Sequence, residues 1–193
     1  MSLVLAFIGK NGSVVAGDKR EIALRGDAPG SDRFEEELYN GTIVSDEALR
    51  RRAEDFGIEI AIRDTKEKVQ EREGILIGEI TDFEQGILRR RRLYVTTGRF
   101  ALAEMEGRKF SLLQQGEASR FVVLGNEIAQ RIAHACIRER WKGGGLADAV
   151  ILMRNIMETV SRRTASVSKE YTLIQTNSRS NIDRLIEQDR VHP

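Results

Sequence analysis

The feature that most constrains this chain is its opening. Leu3 to Ile8 is an unbroken apolar run, followed at once by Lys10-Asn11-Gly12 and then by Ser13 to Ala16. A short apolar run closed by Asn-Gly predicts a strand, a tight turn and a returning strand. The run is too short to span a bilayer and lacks the basic segment that opens a secretion signal. A strand beginning almost at residue 1 implies that the N-terminus itself is held in place. Pairing across the turn also has a chemical consequence: Gly17-Asp18-Lys19-Arg20 returns beside the first residues, so a carboxylate is expected at the head of the first strand.

The remaining composition narrows the class. A chain of 193 residues is long enough for one domain with a real core. The 31 Lys and Arg nearly cancel the 30 Asp and Glu, which argues against a dedicated nucleic-acid binder. Cys136 is the one cysteine, and His134 and His192 are the two histidines. That inventory supports neither a disulfide framework nor a Cys/His metal cluster. His134 falls in a helical pattern and reads as structural. The expectation is one soluble, cytoplasmic α/β domain.

Further along, Glu21 to Arg25 predicts a strand, and residues 31–39 fit either a short helix or an extended return. Asp46 to Phe56 predicts a helix capped by Ser45 and stopped by Gly57, and Ile58 to Ile62 alternates as a strand. Residues 64–73 are highly charged and read as a solvated helix or loop. Ile75 to Ile80 predicts a strand. The four arginines Arg89 to Arg92 read first as a solvated strand end or loop, with an acidic partner as the alternative. Two amphipathic helices follow, about Asn126 to Arg140 and Leu146 to Arg162, separated by Gly143-Gly144-Gly145. Met153 and Met157 lie on the second apolar stripe and are expected in the core. Tyr171 to Gln175 predicts a strand and Asn181 to Gln188 a last helix. Sheets with helices packed outside would absorb all of these.

Several segments resemble a known family. Ser2-Leu3-Val4, the Lys10-Asn11-Gly12 turn, Val14-Val15-Ala16-Gly17-Asp18 and Lys19-Arg20 resemble the opening of a proteasome β-subunit. Tyr94-Val95-Thr96-Thr97-Gly98-Arg99 resembles the segment whose glycine N–H forms the oxyanion hole. Leu146-Ala147-Asp148-Ala149-Val150 through Arg162-Arg163-Thr164-Ala165-Ser166 resembles the long helix and the serine loop beyond it. Over almost the whole chain the closer resemblance is to the connectases, proteasome-like proteins of methanogenic archaea. It rests on the opening through Gly12, on Arg-Arg-Leu-Tyr, and on Thr-Ala-Ser-Val-Ser-Lys. The resemblance implies a four-layer αββα sandwich of the N-terminal-nucleophile hydrolase type. It also implies a sequence-specific protein ligase acting at a Lys-Asp-Pro-Gly-Ala segment. The implied natural partner is the A subunit of the membrane-bound methyltransferase of methanogenesis. Against the proteasome pattern, the lysine before the fourth strand is missing, with Glu37 falling there when Leu38-Tyr39 is matched to the following apolar pair. The glycine-serine-glycine loop serine is not visible near Leu124-Gly125-Asn126. The stretch from about 41 to 92 looks inserted, and the helical layer after Gly98 looks shortened.

The resulting expectations are specific. Removal of Met1 would expose Ser2 as nucleophile, its α-amine having a pKa near ~8 and able to accept the hydroxyl proton. Asp18 would orient that amine, Ser166 would supply a second hydroxyl with Ser168 as the alternative register, and the Gly98 N–H would bind the oxyanion. Each also has a plain structural reading: a turn cap for Asp18, a loop residue for Ser166, a tight bend for Gly98. Residues 41–92 would form a substrate-binding subdomain, with Arg90 and Arg92 as candidates for acidic substrate groups. An acyl-enzyme on Ser2 would pass to an amine beginning Pro-Gly-Ala, with no cofactor, ATP or metal required. No nucleic-acid partner or membrane embedding is expected, and a monomer is. Two alternatives stay open: a peptidase or amidohydrolase of the same fold, and a non-catalytic scaffold.

Overall fold

The computed structural model describes residues 3–25, 30–84, 87–117 and 119–191. Ser2 and His192 therefore lie outside the described residues. In chain order the elements are β1 (Leu3–Gly9), β2 (Gly12–Asp18), β3 (Glu21–Arg25), α1 (Ser31–Asn40), α2 (Asp46–Asp55), β4 (Glu59–Arg63), β5 (Val69–Arg72) and β6 (Ile75–Glu84). They continue with β7 (Ile87–Thr96), β8 (Arg99–Glu106), β9 (Lys109–Glu117), β10 (Arg120–Gly125), α3 (Glu127–Arg140), α4 (Leu146–Ser161), β11 (Tyr171–Thr176) and α5 (Ile182–Val191). One sheet runs β10-β1-β2-β11, a second runs β5-β6-β7-β8-β9, and β3 pairs with β4 apart from both.

The unbroken apolar run at the start has a simple cause: β1 and β2 are buried on both faces. Leu3, Leu5, Phe7, Val14 and Ala16 pack under α3 and α4, against Ala129, Ile132, Met153 and Met157. The alternate residues Val4, Ala6, Ile8 and Val15 meet Leu76, Ile80, Leu93 and Val95 of the second sheet. That sheet's far face, with Ile75, Ile77, Tyr94 and Ala101, is covered by Ile182, Leu185 and Ile186 of α5. The layer order is helix, sheet, sheet, helix. A separate cluster of Phe34, Leu38, Leu49, Ala53 and Ile58 joins α1 and α2 to the β3–β4 side and also takes in Ala165.

Local signals behaved as their chemistry dictates. Ser45 caps α2 by accepting the Ala48 N–H at 3.1 Å. The segment left open, 31–39, is helical. The hairpin turn is Lys10-Asn11, because Gly9 pairs with Gly12 and Gly12 already opens β2.

Two readings need correcting. Residues 41–92 do not form one body: α2 and β4 belong to the flanking cluster, whereas β5, β6 and β7 are strands of the second sheet. The charged stretch 64–73 is likewise no solvated loop throughout, because it contains β5 and the buried Lys68. The arginine run sits within β7, where cross-strand register places carboxylates opposite. Arg89 pairs with Glu106, Arg91 with Glu104, and Arg92 with Glu79 and Asp189. Arg92 is thereby committed to the protein's own acids.

Candidate active site at the head of the first strand

The antiparallel pairing Val4↔Gly17 returns Asp18 to the head of β1, as the turn signal required. Its buried carboxylate collects four donors. Oδ1 accepts the Leu3 N–H and the Lys68 ammonium, each at 2.7 Å. Oδ2 accepts the Arg20 N–H at 2.8 Å and the Ser168 N–H at 3.3 Å. The last described residue before the N-terminus is therefore pinned on Asp18 through its backbone.

Lys68 is the residue that the sequence reading missed. Its side chain is 1 % exposed and that of Asp18 0 %. Its Nζ also donates to the Arg20 carbonyl at 2.7 Å. Burial pushes the lysine below its ordinary pKa, and Asp18 opposes that shift without cancelling it. A glycine makes the approach possible. A Cβ on Gly17 would lie 2.5 Å from Val69 Cγ2 and 3.3 Å from Lys68 Cβ, so the bare backbone of β2 lets the start of β5 close in. Glu37, which sequence matching put in the lysine's place, lies instead on α1, ion-paired to Arg52 at 2.6 Å. The chain detours through α1, α2 and the β3–β4 pair before Lys68 arrives.

On the other flank of β1, Leu3 pairs with Gly125. The next residue, Asn126, caps α3 through the Ala129 N–H at 3.0 Å and donates its Nδ2 to Ser166 Oγ at 2.7 Å. Ser166 is fully buried and shares a second hydrogen bond with Thr164 Oγ1 at 2.8 Å. The Ser168 hydroxyl is already engaged, accepting the Lys19 N–H just after β2 and donating to the Glu170 carbonyl of its own loop. The head of β1 thus lies between Asp18 and Lys68 on one side and Asn126 and Ser166 on the other.

Gly98 is not brought to this cluster. It forms the β7–β8 turn with φ +79° and lines a cavity with Lys10, the residue in the β1–β2 turn. Ser13, at the same end, donates its hydroxyl to the Thr96 carbonyl at 2.7 Å. The length of β1 separates that end from Leu3, roughly 20 Å at about 3.3 Å per residue. The oxyanion role expected of Gly98 is therefore withdrawn, and the positive φ of a tight bend accounts for the glycine.

Beside the Asp18 cluster lies a cleft of about 510 Å³. Its walls include Val44, Asp46, Arg162, Ala165 and Lys169. Arg20 braces it. The guanidinium binds Asp64 at 2.8 and 2.9 Å, Asp46 in a second bidentate pair, and the Ala165 carbonyl at 2.8 Å. The hydrogen bonds from Arg20 hold Asp64 below the usual carboxylate range. One buried cation thus ties α2, the 164–168 loop and the end of β4 around the cleft.

The layered fold defines a class: an α/β sandwich of two packed sheets with helices on both outer faces. An ancestral β-subunit, Anbu, from Yersinia bercovieri superposes with a TM-score of 0.51 at 10% identity, covering 98% of this chain and 93% of its own. An Anbu Gly-1 mutant from Hyphomicrobium sp. strain MC1 gives a TM-score of 0.48 at 11% identity, over 100% of this chain and 94% of its own. No curated protein matches significantly. Residues 1–191 match the family described as connectase MJ0548-like, N-terminal domain, and the chain belongs to that family.

Proposed function

We propose that this chain is an N-terminal-nucleophile protein ligase. The observation that carries the reading is the buried Asp18–Lys68 pair fastened to the Leu3 N–H. Loss of Met1 exposes the Ser2 hydroxyl and α-amine. Lys68, with its lowered proton affinity, takes the hydroxyl proton as Ser2 Oγ attacks the substrate carbonyl. Collapse of the tetrahedral intermediate breaks the peptide bond, and the proton returns to the departing amine. The bound acyl group then passes to an amine held in the same place, whose effective concentration exceeds that of water by orders of magnitude. One amide is exchanged for another of similar free energy, so the reaction needs no ATP.

The family resemblance supplies the substrate: a polypeptide carrying Lys-Asp-Pro-Gly-Ala, cut between Asp and Pro, with the A subunit of the methanogenesis methyltransferase as natural partner. The cleft beside Asp18 supports a polypeptide substrate because it is open and walled by two different units. The unit built from α1, α2, β3 and β4 is the part proposed to grip the peptide. The test mixes Met1-free protein with a labelled donor containing this motif and an acceptor beginning Pro-Gly-Ala. Fused product is expected. Hydrolysed donor alone at saturating acceptor would favour a peptidase, and no reaction would favour a scaffold.

A further inference from the structure

The opposite end of the sandwich holds a second cavity, of about 480 Å³, that the proposed chemistry does not use. Lys10, Arg99 and Arg179 reach it, with Glu117 as the one acid among its described lining residues. Arg99 meets Glu117 at 3.6 Å and Asp183 at 3.5 Å, both loose contacts. The Arg179 guanidinium donates to the Lys10 carbonyl at 3.3 Å, and among the described residues no carboxylate neutralises either Lys10 or Arg179. The formal charge of the lining is therefore positive.

A separate observation points the same way. The Thr96 and Thr97 hydroxyls are buried, and they have no hydrogen-bond partner. Thr96 is 0 % and Thr97 7 % exposed, and both residues form the cavity wall. Their neighbouring backbone groups are satisfied: the Thr96 carbonyl accepts from Ser13, and the Thr97 N–H donates to the Ser178 carbonyl at 2.9 Å. A native structure rarely leaves two adjacent buried hydroxyls orphaned. An acceptor oxygen bound against this wall would supply the partner that these hydroxyls lack.

We propose that this cavity binds the phosphate group of a small molecule, with Lys10, Arg99 and Arg179 supplying charge and Thr96 and Thr97 supplying hydroxyl donors. A phosphate monoester carries about −1.5 to −2 charge and three strong acceptor oxygens, which matches three cations offset by one acid. The volume falls within the range of small-molecule sites, so room remains for the group that bears the phosphate.

The test uses the whole chain with inorganic phosphate and pyrophosphate as probes, and with chloride and acetate at matched ionic strength as controls. At about tenfold excess over Kd, phosphate should raise Tm by roughly 3–6 °C. Lys10→Ala combined with Arg179→Ala should abolish the shift, and both side chains are exposed enough for the fold to tolerate the change. Thr97→Val should leave the Tm without phosphate unchanged or higher while weakening the phosphate shift. An equal shift from chloride, an undiminished shift in the double variant, or no shift at all would overturn the proposal. An acetate shift as large as the phosphate one would overturn it in favour of a carboxylate site.

Discussion

Two buried carboxylates hold this molecule together, and they do so with different cations. Asp189 on α5 accepts the Tyr94 hydroxyl at 2.7 Å, Arg92 at 2.6 Å and Arg72 at 3.0 Å. Burial works against its charge, yet the hydrogen bonds from Tyr94 and Arg92 outweigh burial and hold the group below the usual carboxylate range. Its cations are guanidinium groups, which do not give up a proton in any accessible range. Asp18 is as deeply buried, but its cation is a single desolvated lysine whose proton affinity is lowered. The first cluster locks α5 to the second sheet. The second has the same kind of charge pairing around a lysine of lowered proton affinity, and it holds the head of β1 through the Leu3 N–H.

The largest expected effect breaks the second cluster. Lys68→Ala should lower acyl transfer by about 10²–10⁴-fold, and Lys68→Arg should not restore it, because the guanidinium cannot act as a base. The pH dependence follows in sign. The neutral lysine is the active form, so transfer should rise with pH through the lowered pKa and level off before the ordinary lysine value of ~10.4. Folding stability follows the same proton. Between the lowered pKa and ~10.4 the unfolded chain binds more protons, so Lys68's contribution is present above that range and lost as pH falls through it. A transfer rate profile measured from pH 6 upward checks the rise.

Asp189→Ala comes next and should act in the opposite way. Removing the acid leaves Arg92 with Glu79 alone and the buried Tyr94 hydroxyl without its acceptor, and should cost about 1–3 kcal/mol in urea denaturation. Transfer by the folded fraction should stay near that of the parent. Gly17→Ala sharpens the comparison from a third side. The added methyl would sit 2.5 Å from Val69 and push the start of β5 away from Asp18. Overpacking should cost about 1–3 kcal/mol, and transfer should fall further than that loss of stability explains. Arg91→Ala, which removes one surface pair with Glu104, should cost less than about 1 kcal/mol and leave transfer unchanged.

How much of this was legible in the sequence depended on how local the signal was. The Lys10-Asn11-Gly12 turn fixed the hairpin and with it the return of Asp18, and the two-sided burial of β1 explained why Leu3 to Ile8 carries no polar alternation. Ser45 and Asn126 marked their helix starts because a cap is a one-turn feature. Lys68 was illegible for the opposite reason. It stands 50 residues from Asp18, inside a charged stretch, and its burial arises only when Gly17 lets β5 approach. The arginine run misled in a related way, since its acids arrive from β6, β8 and α5 through sheet register and packing. Gly98 looked like a site residue from the letters around it, yet the strand β1 separates its turn from Asp18.

The central claim is that the Asp18–Lys68 pair activates Ser2. Its most direct test is intact mass followed by peptide mapping after brief mixing with a Lys-Asp-Pro-Gly-Ala donor. The parent protein and Asp189→Asn should both carry the acyl group, mapped to Ser2, whereas Lys68→Ala should carry none on the same timescale. An adduct forming at the parent rate in Lys68→Ala, or one mapped to any other residue, would contradict the claim.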